Sequence, residues 1–212
     1  MPLILYYAPN ACSLVPYVTL TEAGAAFEVR PLNFRKSQHM MPEYLRLNPK
    51  HKVPVLLIDG EPLTENAAIH VWVDRNFPRA KLLPADPMEY VRAISLHSWC
   101  ASNIHPRLTP NARPENYCDL PGSEESVKRV ATKLLYEDFA LADRLLAGRD
   151  WFFSHFTAPD AHFFWCFRRA ISFGIDVSAF GNCRAHTERM LGRAAVQKAV
   201  AHEKKVMEEF AA

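Results

Sequence analysis

The 212-residue chain has no CxxC pair, and its five cysteines, Cys12, Cys100, Cys118, Cys166 and Cys183, are odd in number. Paired zinc ligands are therefore lacking, and the pattern fits reduced thiols better than a disulfide framework; no metal is expected. Long apolar runs are lacking as well. No segment approaches the roughly 20 apolar residues of a membrane span, and the early stretch Leu3–Tyr7 is too short for a signal-peptide core. The expectation is a cytoplasmic protein with no membrane partner. Nor is there an excess of one charge: 25 basic and 23 acidic side chains nearly cancel. Without a long basic run there is no phosphate-neutralising surface of the kind nucleic acid requires, so nucleic acid is not an expected partner. Internal repeats and low-complexity segments are absent too.

What is present divides the chain by pattern. Leu3-Ile4-Leu5-Tyr6-Tyr7 reads as a strand broken by Pro9-Asn10, residues 13–23 as a helix stopped by Gly24, and Phe27-Glu28-Val29-Arg30-Pro31 as a second strand. Strand, helix and strand of these lengths form a βαβ unit with a parallel pair. Val55-Leu56-Leu57-Ile58 and Pro62-Leu63 flank Asp59-Gly60, which suits the left-handed torsions of a tight hairpin turn. In residues 65–76, Ala68, Ile69, Trp72 and Val73 recur at helical spacing, with Thr64 as the expected N-cap. Three of the 16 prolines fall within 77–87, a segment read as a linker. Beyond it, 88–105, 124–148, 159–173, 184–192 and 196–210 read as helices and no strand is expected.

The segment that bears most on chemistry is Tyr6-Tyr7-Ala8-Pro9-Asn10-Ala11-Cys12-Ser13. It delivers a thiol from a strand end to a helix start, where free backbone N–H groups and the positive end of the helix dipole favour the thiolate. A lone cysteine also serves as an inert apolar group, and both readings stand at this point.

The βαβ and ββα order, the Val53-Pro54 step, Leu63-Thr64-Glu65 and the helical C-terminal half resemble the cytosolic glutathione transferases. Ala11-Cys12-Ser13-Leu14, Asn48-Pro49-Lys50-x-Lys52-Val53-Pro54 and Phe156-Thr157-Ala158-Pro159-Asp160-Ala161 are most similar to the bacterial beta class. The resemblance implies an α/β thioredoxin-like N-terminal domain over 1–76, ordered βαβ-α-ββα around a mixed four-stranded sheet. A linker over 77–87 and an all-α C-terminal domain over 88–212 would follow. It also implies an enzyme that uses glutathione as co-substrate and acts on a small apolar electrophile or disulfide between the domains, in a homodimer serving detoxification. A non-enzymatic adaptor or stress protein that keeps the fold for protein contacts is the alternative.

The resemblance assigns roles residue by residue. Val53-Pro54 is similar to the family's cis-proline step, which presents the Val53 backbone to the cysteinyl part of glutathione. Glu65 and Asn66 would receive the ammonium and carboxylate of the γ-glutamyl end at a helix start; a serine or glycine is commoner in relatives where this chain has Asn66. Lys36, with Lys50 and Lys52, would meet the glycyl carboxylate. Cys12 would form a mixed disulfide or hold the glutathione thiol by a hydrogen bond, Ser13 would donate to the thiolate, and Tyr6 or Tyr7 is a further candidate donor. His105 would serve as acid, base or thiolate partner, followed here by Pro106 in place of the usual lysine. Ser98 and Ser102 would line the cleft, and the loop 106–121 would help set specificity. Thr157-Ala158-Pro159-Asp160 reads as a helix start rather than a catalytic motif. The surrounding aromatics Trp151, Phe152, Phe153, Phe156, Phe163, Phe164, Trp165 and Phe167 read as core, with one or two of them as candidates to line an electrophile pocket.

Overall fold

The computed structural model describes residues 1–211. They pack as two compact units, one formed by Met1–Ala85 together with the chain from Leu191 onward, the other by Asp86–Met190.

The first unit begins β1 (Leu3–Tyr7), α1 (Leu14–Glu22), β2 (Glu28–Pro31), α2 (Pro42–Leu45), β3 (Val55–Ile58), β4 (Glu61–Thr64) and α3 (Asn66–Asn76). The strands form one mixed sheet in the order β2-β1-β3-β4. Leu5 lies opposite Val29 in the parallel pair with β2 and opposite Leu56 in the antiparallel pair with β3. The β3–β4 hairpin turns through Asp59 and Gly60, with φ of 52° and 94°. These are the left-handed torsions that match the twist of the flanking strands. Alternation along β1 buries Leu3, Leu5 and Tyr7 on one face. Ile4 and Tyr6, on the other, pack against a cluster that includes Tyr44 of α2 and Val55 and Leu57 of β3.

Helix α1 is largely apolar and buried from Leu14 to Leu20, as suits a helix enclosed on most sides. It ends where the sequence places the stop. Gly24, with φ of 66°, donates to Thr21 O at 3.0 Å, and Ala25 N–H reaches Leu20 O at 3.0 Å. This is a Schellman closure, which satisfies carbonyls that the helix end would otherwise leave open.

The second unit is helical: α4 (Pro87–Trp99), α5 (His105–Ala112), α6 (Glu124–Leu145), α7 (Ala158–Ser172) and α8 (Gly181–Leu191). Asp86 caps α4 by accepting from Met88 N at 3.0 Å and Glu89 N at 2.9 Å. The expected loop at 106–121 is helical as far as Ala112, a correction with a clear cause. A π-helical stretch, Cys100–Ile104, precedes Pro106, and this wider turn accommodates a residue with no N–H to donate. Pro110 in turn leaves the Pro106 carbonyl without its usual helical donor, and Tyr117 Oη donates to it at 3.4 Å.

Helix α7 opens on the capping box read from the sequence, with Thr157 N–H donating to Asp160 Oδ2 at 2.8 Å. Asp160 Oδ1 also accepts from Phe152 N–H at 3.1 Å and faces His186 Nε2 at 3.1 Å, so one buried carboxylate fastens a helix start, a loop and α8. Phe139, Phe163, Phe164 and Phe167 are wholly buried in the same unit. Trp151 and Phe153, expected in this core, are half-buried instead. They border a pocket of about 470 Å³ with Glu89, Arg149, Asp150 and Ser154.

The last helix, α9 (Ala194–Ala211), is helical like the second unit but packs against α1 of the first. Arg193, just before it, grips the Glu22 carboxylate with two bonds of 2.7 and 2.9 Å. The segment 77–87 thus separates elements by type, whereas packing gathers α9 with the sheet.

Candidate functional site

The site is built on the loop between β1 and α1. Ser13 is fully buried, and its hydroxyl accepts from Ala8 N–H at 3.0 Å and donates to Ala8 O at 3.3 Å. Its proton is thereby committed to the loop backbone. The adjacent Cys12 Sγ lies 3.4 Å from Val53 O and donates its S–H there. The Val53–Pro54 peptide is cis. A carbonyl acceptor stabilises the thiol rather than the thiolate, and Cys12 is only 9% exposed.

Burial accordingly pushes the Cys12 thiol up to about 12, against a smaller lowering by the Asn66 side chain and a still smaller one by the Lys52 charge. The helix start was expected to favour the thiolate; in the structure, desolvation outweighs it. Cys12 is a buried hydrogen-bond donor.

The start of α3 completes the corner. Asn66 is buried, its Nδ2 donates to Cys12 O at 3.3 Å, and its Oδ1 has no hydrogen-bond partner among the described residues. Glu65 sits at φ 70°, a left-handed backbone that a non-glycine residue rarely adopts. Its exposed carboxylate pairs with Lys50 Nζ, which also donates to Thr64 Oγ1 at 2.9 Å. Lys50, expected near a glycyl carboxylate, thus lies on Glu65.

Lys52 is exposed, and its carbonyl is held by Tyr44 Oη at 2.5 Å and Asn48 Nδ2 at 2.7 Å. Lys36 is exposed on a turn that Asn33 Oδ1 pins by accepting from Lys36 N–H at 3.1 Å. The structure therefore brings Cys12, Val53, Pro54, Glu65 and Asn66 together, with Lys52 close enough for its charge to reach Cys12. Tyr7 Oη donates to Glu203 Oε1 at 3.3 Å, and Tyr6 Oη accepts from Arg30 Nη1 at 3.3 Å. Both hydroxyls have partners other than Cys12.

His105 and Ser102 belong to the second unit. The His105 ring meets Trp165 edge-on, with centroids 4.5 Å apart. Ser102 is exposed, donates to Asn103 Oδ1 at 2.9 Å and borders an apolar pocket of about 510 Å³ that includes Pro106, Pro110, Tyr117 and Val130.

Comparison with known proteins places this geometry in context. The family described as the glutathione S-transferase N-terminal domain matches residues 1–75. Glutathione S-transferase GstA of Escherichia coli O157:H7 is 31% identical over 205 residues, covering 94% of this chain and 98% of its own. This chain belongs to the glutathione transferase family. Among solved structures, a sphingomonad glutathione S-transferase complexed with glutathione superposes with a TM-score of 0.84 at 30% identity, covering 95% of this chain and 98% of its own. The bacterial beta-class glutathione S-transferase of Sphingomonas chungbukensis gives 0.82 at 31% identity, over 94% and 98% of the two chains.

Two features of this glutathione transferase escape sequence reasoning. Glu203 on α9 is buried and accepts from Asn10 N–H at 2.8 Å as well as from Tyr7 Oη, so it clamps the loop that carries Cys12. A signal was available: Glu203 falls in phase with Val196, Ala199 and Val206 on the buried face of α9, where an acid needs a partner. The second is a pair of imidazoles, His39 and His51, with ring centroids 6.5 Å apart. They lie only twelve positions apart in sequence, but they share no motif.

Proposed function

We propose that this glutathione transferase binds glutathione along the corner formed by Cys12, Val53-Pro54 and Glu65-Asn66 within a glutathione-binding domain of residues 1–76. Glu65 takes the γ-glutamyl ammonium, and Asn66 with the α3 N-terminus takes the neighbouring carboxylate. The Val53 backbone pairs with the cysteinyl part, and Lys36 and Lys52 meet the glycyl carboxylate. The observation that carries this reading is the Cys12 Sγ to Val53 O contact of 3.4 Å beside the cis Pro54, with Asn66 donating to Cys12 O. One corner thereby offers a thiol, an extended backbone edge and a helix start. The sphingomonad relative complexed with glutathione supports the same ligand.

The chemistry follows from protonation. A donor aimed at the glutathione sulfur favours its thiolate, and a Cys12 thiol raised to about 12 keeps its proton to donate. Cys12 therefore acts as hydrogen-bond partner to the glutathione thiolate, which attacks an apolar electrophile. This is favoured over a mixed disulfide, for which Cys12 itself must ionise. Ser13 is fully buried with its hydroxyl bonded twice to Ala8, whereas Cys12 has only its contact to Val53 O to release, so the donor role falls first to Cys12. From the second unit, His105 serves as acid or base and Ser102 as a binding contact. We assign the assembly as a homodimer acting in detoxification in the cytoplasm.

Calorimetric titration of glutathione into the wild-type chain and Glu65→Ala tests the reading. Loss of a charge-assisted contact is expected to weaken binding about ten- to hundredfold. Equal affinity in the two proteins refutes the assignment of Glu65. No binding by the wild type at millimolar glutathione refutes the proposed binding corner as a whole.

A further inference from the structure

Lys50 Nζ lies on the Glu65 carboxylate and also donates to Thr64 Oγ1 at 2.9 Å. The chain holds it there through its backbone. The buried Asn48 accepts from Lys50 N–H at 3.1 Å through Oδ1 and donates to Lys52 O at 2.7 Å through Nδ2. His51 between them takes the left-handed torsion, φ 48°, that turns the segment. With the main chain pinned on both sides, only the lysine side chain is free to swing.

We propose that Lys50 is a built-in competitor for the ammonium subsite. Its Nζ holds the Glu65 carboxylate until the α-ammonium of glutathione displaces it. The proposal rests on the assignment of Glu65 to that ammonium. Two cations of the same kind contend for one carboxylate, so binding exchanges an ion pair rather than creating one. The pair is half-exposed, with side-chain exposures of 49% for Lys50 and 69% for Glu65, so the lysine is a weak plug that yields to ligand. The subsite is consequently biased modestly against ligands whose amine binds Glu65 no better than Lys50 does. A ligand without that ammonium leaves the lysine in place.

The test compares glutathione with glutathione acetylated on its α-amine, titrated calorimetrically into the wild type, Lys50→Met and Glu65→Gln at low and high salt. Lys50→Met is expected to bind glutathione about two- to fivefold tighter, the reach of an exposed ion pair, and to leave the acetylated ligand unchanged. Its glutathione affinity should also fall more steeply with salt than that of the wild type, because a new ion pair then forms without another being broken. Weaker glutathione binding by Lys50→Met, or an equal shift for both ligands, overturns the proposal and leaves the Glu65 assignment standing. Wild-type glutathione affinity that is unchanged in Glu65→Gln overturns the assignment and the proposal with it.

Discussion

The raised Cys12 thiol makes a prediction that separates the two readings of this residue. With a pKa of about 12, roughly one Cys12 in ten thousand is ionised at pH 8, against about a quarter of an ordinary cysteine, a deficit of about 2,500-fold. A more basic thiolate is a better nucleophile. At a Brønsted slope of 0.4–0.5 the shift returns roughly 25- to 60-fold, leaving Cys12 about 50- to 100-fold slower than an unshifted thiol before any shielding by burial. Cys118 is the opposite case. It is half-exposed, and the Ser123 hydroxyl and the Leu120 N–H lower its pKa. Cys100, Cys166 and Cys183 are fully buried. Alkylation by iodoacetamide, followed by peptide mass mapping from pH 7 to 10, should show a single fast site at Cys118. Cys12 should be slow, its rate climbing about tenfold per pH unit. Cys118→Ala should abolish the fast phase and Cys12→Ala should leave it intact. A fast phase that survives in Cys118→Ala and disappears in Cys12→Ala would refute the reasoning and restore Cys12 as an ionised nucleophile.

Two predictions concern buried carboxylates that sequence pattern would class alike. Glu203→Ala removes the acceptor shared by the Tyr7 hydroxyl and the Asn10 N–H, and is expected to cost about 3 kcal/mol, or roughly 6–12 °C in melting temperature for a chain of this size. Glu203→Gln keeps the oxygen that accepts both bonds and should cost about 1 kcal/mol; equal melting temperatures for the two variants would contradict the clamp. At Asp160 both oxygens accept, so Asp160→Asn turns an amide N–H toward a donor. By differential scanning calorimetry it should be destabilised nearly as much as Asp160→Ala, about 4 kcal/mol, and a near-wild-type Asn variant would show that the second oxygen is dispensable.

The fold was legible because its signals are local. Gly24 closes α1, Asp59-Gly60 turns the hairpin, and Thr157 with Asp160 starts α7, each through backbone geometry that a few neighbouring residues determine. The corner of the site was legible for a related reason: Cys12, Val53-Pro54 and Glu65-Asn66 sit at element boundaries that the pattern marks. The protonation of Cys12 was not, because burial depends on the surrounding packing and overrides the helix-start effect visible in sequence. Lys50 shows the same limit. Three nearby lysines look alike in the chain, and only the Asn48 bonds and the His51 torsion send one of them to Glu65. The extent of α5 was missed because proline usually reads as a break, and the compensating π turn and Tyr117 hydroxyl are tertiary answers to it. Glu203 was missed because a lone acid on a helix looks solvated until the face it occupies is known to be covered.

The packing of α9 with the sheet has a consequence for biosynthesis. The first unit is written in two pieces of chain, and every residue of the second unit is translated between them. A nascent chain therefore presents its sheet, with Tyr7 and the Cys12 loop still unclamped, for the whole interval before Arg193 and Glu203 leave the ribosome. The corner is clamped last, although its thiol is made before any residue of the second unit.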